Sequence, residues 1–323
     1  MALERRRVSC PSVIRRNAMT LLPRLVVCSV ALICIGAMLS RAESVTGSSR
    51  TVEVADGVSL RVIEAGKPDA QSVLVFIPGW STSADIWKRQ IESFAKTCRV
   101  IAFDPRSQGE SAKTTSGNTP ERRAQDLHAL LERLGVQQPV LIGWSQAVQD
   151  IAAYVEGYGT KDLTGIVLVD AAVSDGADGM VARPQETAAQ FKMFGVYQAH
   201  QLEYLGGMMR AIISKPQGDG VIEELINTGM KTPPDVGVAM LIADMFGMNR
   251  TPVLKKIECP TLIIASAKSD ELARQQAGAK QIPQARFEKV DDTAHAVFLD
   301  QPDRFNQLLR SFVANLATTT KHD

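Results

Sequence analysis

The sequence predicts an α/β protein: a mostly parallel sheet with helices on both faces and a helical segment inserted late in the chain. Three observations carry this. Short continuous apolar runs, VLVFI at 73–77, RVIAF at 99–103, PVLIG at 139–143 and GIVLVD at 165–170, read as strands buried on both faces. Helical segments separate them, which implies parallel strands joined by crossovers. The rhythm then stops. Residues 173 to about 255 hold no comparable β-run and look helical, and the alternation resumes with PTLIIAS at 260–266.

The remaining elements follow in order. TVEVADGVSLRVIEAG reads as two short strands around Asp56-Gly57, a hairpin signal. A helix is expected over about 83–95. The next runs from Pro120 to Leu134, with Thr119 as N-cap, Pro120 in the first turn and Gly135 just past the end. Leu127, Leu130, Leu131 and Leu134 make its apolar face. A helix from about Gln146 follows the 139–143 strand. After the insertion come a helix near 270–281, strand RFEKV at 286–290 and a final helix over about 303–316. The inserted region, taken as 173–255, holds eight of the eleven methionines. Methionine suits adaptable apolar surfaces, so these residues pack a helical cap and could also form a pliable wall over an apolar pocket.

The N-terminus reads differently. Arginines cluster at Arg5, Arg6, Arg7, Arg15, Arg16 and Arg24, and the apolar run LVVCSVALICIGAML follows from Leu25 to Leu39. Ser40-Arg41-Ala42 then forms an A-x-A-like site, so residues 1–42 read as a signal peptide cut after Ala42. Met19 offers a second start with a more compact leader. An uncleaved membrane anchor is the alternative, but the 15-residue run is short of the ~20 residues that span a bilayer. The expectation is a periplasmic or secreted protein with no stable membrane insertion after cleavage, its core in two parts, 43–172 and 256–323, around the cap. Without residues 1–42, which carry seven arginines and one acid, the net charge moves from +1 to −5. That excludes the basic footprint of a nucleic-acid binder. No metal-ligand spacing of Cys or His is present, and nothing calls for a cofactor.

The candidate chemistry centres on GWSQA at 143–147. Ser145 ends a buried strand and begins a helix, where the turn lifts its side chain and the helix N-terminus supplies N–H groups and positive potential. Gly143 and Ala147 satisfy the need for small neighbours. Serine requires a base at neutral pH. Among His128, His200, His295 and His322, His295 is favoured, because its loop follows the last strand and emerges at the same sheet edge as Ser145. The acid that orients the base should also follow a strand. Asp270 does, in LIIASAKSDEL, giving the chain order Ser, Asp, His; Asp170, ending GIVLVD, is the second candidate. Backbone N–H groups of Trp80, after Pro78-Gly79, and of Gln146 are the candidate oxyanion donors. Trp80 and Trp144 are expected to line the substrate pocket, one or both.

PGW at 78–80, DPRSQGES at 104–111, GWSQA at 143–147, SDEL at 269–272 and HAVFLDQPDRF at 295–305 resemble, in this order, the α/β-hydrolase superfamily, over about residues 50–316. The similarity is strongest to capped carboxylesterases, lactonases and cofactor-free haloperoxidase-like perhydrolases. It implies the α/β-hydrolase fold with an eight-stranded, mostly parallel sheet, and a structural role for Asp104 and Arg106. There are departures. Pro78 stands where many members have His, Ala147 and Val148 replace two glycines, and the acid loop is one residue longer. Val148 should set the first helical turn slightly further from the strand. The implied strand order puts Cys98 and Cys259 four strands apart, about 19 Å at ~4.8 Å per strand, too far for a disulfide. The expected activity is a serine hydrolase acting on an ester, thioester or lactone of a mainly apolar small molecule. Acyl transfer or peracid formation on the same residues is the alternative, and a non-catalytic binding protein on the same fold is the third reading.

Overall fold

The computed structural model describes residues 47–319, so the expected leader, residues 1–42, lies outside the described residues. Eight strands form one sheet: β1 (Ser48–Ala55), β2 (Val58–Ala65), β3 (Val73–Ile77), β4 (Arg99–Phe103), β5 (Val140–Trp144), β6 (Gly165–Val169), β7 (Thr261–Ser266) and β8 (Ala285–Val290). Their spatial order is β1-β2-β4-β3-β5-β6-β7-β8. β1 pairs with β2, and β2 with β4, antiparallel; every later pairing is parallel. The expected hairpin is therefore the antiparallel edge of a parallel sheet.

Burial follows from position. β2 alternates buried and part-buried residues, as a strand with one well-covered face should. β5, β6 and β7 are buried throughout. Along β3, Leu74 and Phe76 enter one apolar layer while Val75 and Ile77 enter the other, the two-residue period of a strand covered on both faces. On the first face lie α1 (Lys88–Phe94) and the last helix, α11 (Pro302–Thr319), where Trp87 stacks on Phe298 with ring centroids 3.9 Å apart. On the second face lie α2 (Pro120–Arg133) and α3 (Ala147–Tyr158), joined through Leu127, Leu130 and Ile151. Each such fully buried Leu or Ile stabilises the fold by roughly 1.5–3 kcal/mol. The Thr119 hydroxyl accepts the Arg122 N–H at 3.4 Å, so the N-cap forms where expected. The helix expected at 83–95 begins instead as a 3₁₀ turn over Ala84–Trp87.

Between β6 and β7 the chain makes α4 (Gly176–Ala182), α5 (Pro184–Ala199), α6 (Gln201–Ala211), α7 (Val221–Gly229) and α8 (Pro234–Phe246), then a 3₁₀ turn over Thr251–Lys256. Helix α9 (Leu272–Ala279) follows β7, and a short α10 (Val297–Asp300), not expected from the sequence, follows His295. The cap is tied to the sheet by specific bonds. Trp80 Nε1 donates to Gly237 O at 2.9 Å, and Ala296 N donates to Ile212 O at 2.8 Å. Arg250, 2% exposed, pairs with Glu121 and with Glu156. Among the described residues no helix is long and apolar enough to cross a membrane.

Cys98 precedes β4 and Cys259 precedes β7, four positions apart in the sheet, and both are free and buried. Burial raises both thiols, that of Cys259 to about 12, which keeps them protonated and poorly nucleophilic near neutrality.

Candidate active site

The carboxyl ends of β5 and β6 and the loop after β8 converge on one cavity of about 280 Å³, whose lining includes Ser145, Gln146, Trp80 and His295. Ser145 has φ 56°, a left-handed conformation that costs an ordinary residue energy and is concentrated at functional turns. It is held by Ser145 N donating to Val169 O at 3.0 Å and by Val148 N donating to Ser145 O at 3.0 Å. The turn is crowded. A Cβ on Gly143 would lie 2.6 Å from Ile151 Cδ1 and 3.0 Å from Ala147 O. Ala147 and Val148 are both fully buried in the apolar layer between α3 and the sheet. A Cβ on Gly79 would come within 3.1 Å of Ser145 Cβ, which explains glycine in the Pro78-Gly79-Trp80 turn.

His295 takes Asp170 as its partner, with Nδ1 2.8 Å from Asp170 Oδ2. This corrects the preference for Asp270. Asp170 is 1% exposed and has φ 49°, so the backbone at the end of β6 turns its carboxylate under the imidazole. Its other oxygen accepts the Ser266 N–H at 2.8 Å. Asp270 is exposed, in the turn before α9. The end of β7 supports the site without supplying the acid: Ser266 Oγ donates to Thr293 O at 2.7 Å, in the loop that carries His295. Asp300, not singled out in the sequence, fastens the same loop. It accepts from Ala294 N at 2.7 Å, and from Ser214 N, Ser214 Oγ and Lys215 N of the cap at 2.9, 2.8 and 2.8 Å.

The two tryptophans separate. Trp80 lines the cavity, and its ring packs at a tilt of 60° against Tyr197, centroids 4.7 Å apart. Trp144 lies beneath His295, its Nε1 donating to His295 O at 3.0 Å and its ring 5.1 Å from the imidazole; it supports the histidine and is absent from the cavity wall. The wall is also more polar than a methionine-rich cap suggested. Of the eight cap methionines only Met180 and Met245 line it, while Asp175, Arg183, Glu186, Asp244, Glu271 and Arg274 do so too. Arg183 is paired with Asp175, and Arg274 with Glu271, near the mouth. Deeper, Gln149 and Ser174 are satisfied by backbone groups of Ala172 and Met245 and by each other.

The DPRSQGES loop is structural in its contacts. Asp104, fully buried, accepts the N–H groups of Ala84 and Glu110 at 2.7 and 2.8 Å, and Arg106 forms a two-pronged pair with Asp126 at 2.5 and 2.6 Å. Asp104 thereby ties the segment after Pro78-Gly79-Trp80 to the turn after Gln108.

A left-handed serine at the end of a central strand, lining one cavity with a histidine held on a buried carboxylate, under a helical cap, is the arrangement of an α/β-hydrolase. The chain belongs to the alpha/beta hydrolase family, whose model matches residues 74–308. It is similar to a bifunctional esterase/perhydrolase of Acinetobacter calcoaceticus, 36% identical over 121 residues, 37% of this chain and 44% of that relative, so the match spans less than half of the relative's length. A non-heme chloroperoxidase of Kitasatospora aureofaciens is 27% identical over 258 residues, 74% of this chain and 91% of that protein. Among solved structures, Est816, described as an N-acyl homoserine lactone degrading enzyme, is 26% identical with a TM-score of 0.67, over 81% of this chain and all of that one.

Proposed function

We propose that this protein is a serine hydrolase of carboxylic esters or lactones, working through an acyl-enzyme on Ser145, His295 and Asp170. The observation that carries the reading is the 2.8 Å contact of His295 with buried Asp170 in a loop that shares a cavity with left-handed Ser145. With Asp170 ionised, the imidazole donates from Nδ1 and Nε2 is free to act as base. His295 takes the Ser145 proton as Oγ attacks the carbonyl. The N–H groups of Trp80 and Gln146 hold the oxyanion, and the histidine returns the proton to the leaving alcohol. Water, activated by the same base, then releases the acid.

Asp175, Arg183, Glu186, Glu271 and Arg274 on the cavity wall favour a small substrate with polar groups over a purely apolar one. Transfer to peroxide in place of water is a second reading, supported by the esterase/perhydrolase and chloroperoxidase names of the two relatives. Export remains part of the proposal and rests on the leader at residues 1–42. A panel of p-nitrophenyl esters of rising chain length, with and without added peroxide and with Ser145→Ala as control, tests the activity. Ser145-dependent release of nitrophenol is expected. Release that the Ser145→Ala protein matches would overturn the hydrolase reading, and product diverted to peracid would select the second one.

A further inference from the structure

Gln146 is more than a backbone donor beside the nucleophile. Its side chain is held at both ends: Nε2 donates to Asp244 Oδ2, and Oε1 accepts from Gln108 Nε2 at 3.2 Å. Asp244 belongs to the cap helix α8, is 4% exposed and lines the cavity. Its other oxygen accepts from Arg123 Nη2, and Arg123 Nε donates to Asp150 Oδ1 at 2.8 Å. A continuous buried chain therefore runs from α3 through α2 to the cap and back to the residue after Ser145. It does not close as a neutral pair. One guanidinium faces two carboxylates, and Arg123 Nη1 and Asp150 Oδ2 have no partner.

A chain of this kind needs a reason. An isolated pair of Arg123 with Asp150 would join α2 to α3 without Asp244, and burying a second carboxylate beside them is costly. Burial holds both acids above the ordinary carboxylate range, against the pull of Arg123. What Asp244 adds is the bond to Gln146. That residue opens α3 with φ −47° and ψ −40°, directly after the left-handed serine, so its peptide N–H must point into the cavity for an oxyanion to use it. The carbonyl of that peptide, Ser145 O, accepts the Val148 N–H, and the two bonds on the amide side chain restrain its Gln146 end.

We propose that Asp244 is a positioning residue by which the cap sets the oxyanion donor: it holds the Gln146 side chain, and through it the Gln146 N–H, so the site is complete only with α8 docked. The proposal rests on the serine-hydrolase reading. Arg123 and Asp150 anchor the carboxylate, Gln108 restrains Gln146 from the other side, and none of the three needs to touch substrate.

The test is the rate at which a fluorophosphonate probe labels Ser145, measured across probe concentration so that limiting rate and half-saturation separate. Asp244→Asn, Gln146→Met, which keeps the backbone N–H and changes no charge, and the double variant are compared with wild type. Each single change should lower the limiting rate about tenfold, within the cost of losing an oxyanion donor outright (about 10²–10³-fold). Half-saturation should move less than about threefold, and the double variant should be no slower than the slower single, because both act on one bond. Wild-type limiting rates in the single variants, losses that multiply in the double, or an effect confined to half-saturation would each overturn the positioning role. A wild-type protein that does not label at Ser145 would instead overturn the hydrolase reading and this role with it. Should Asp244→Asn fail to fold, wild-type labelling by Gln146→Met is by itself sufficient to overturn the proposal, and a tenfold loss supports it.

Discussion

Two neighbouring strands end at the same edge of the sheet, and each is followed by an aspartate that could serve His295. The residue after β6, Asp170, is 1% exposed, left-handed, and bonded to both His295 and Ser266 N. Asp270 comes four residues after β7 ends and faces solvent. His295 finds its carboxylate where the backbone aims one and where other donors satisfy it. Order in the chain does not choose it. The end of β7 has become a brace, since Ser266 supports both the aspartate and the histidine loop.

Perturbing either side tests this contrast, and the expected effects fall in size. Ser145→Ala removes the group both aspartates would serve; ester turnover should fall by about 10⁴-fold or more, measured as kcat/KM with folding checked by circular dichroism. Asp300→Ala leaves the cap and histidine-loop donors without their acceptor. A loss of about 2–3 kcal/mol in urea unfolding is expected, with reduced kcat, because His295 is no longer fixed over Asp170. Ser266→Ala removes one brace and should cost about 1 kcal/mol, with activity within about fivefold of wild type. If Ser266→Ala exceeded Asp300→Ala in its effect, the brace would matter more than the clamp.

A subtler contrast concerns charge balance. Asp170 sits against a histidine, whereas Asp150 and Asp244 share Arg123 and are held above the usual carboxylate range by burial. Such acids bind more protons in the folded than in the unfolded chain once pH exceeds about 4, the unfolded value, so their contribution lowers stability as pH rises from there toward neutrality. Asp150→Asn should make that decline shallower, read as the midpoint of urea unfolding at several pH values. An unchanged slope would contradict the raised state of the buried pair.

The apolar architecture was legible because it is repetitive. VLVFI and RVIAF became β3 and β4 over the same residues, and the Leu127, Leu130 and Leu131 stripe became the buried face of α2. Ser145 and His295 were legible because a strand-to-helix turn and a loop after the last strand leave marks in sequence. The choice between Asp170 and Asp270 was not, because it depends on a positive φ and on the direction of one carboxylate. An indole beside a nucleophile can point either way, so the sequence does not separate Trp144 from Trp80; strand alternation sends Trp144 into the core. Arg123, Asp150 and Asp244 left no signal at all. Each is an ordinary polar residue on its own helix, and only folding brings 123, 150 and 244 together.

The central claim is that Asp170 orients His295. Its most direct test is kcat/KM for one p-nitrophenyl ester in Asp170→Asn and Asp270→Asn proteins side by side. A loss of about 10³–10⁴-fold is expected for Asp170→Asn, since an amide there favours the wrong imidazole tautomer, and less than about twofold for Asp270→Asn. The reverse pattern, or equal losses in both, would contradict that claim.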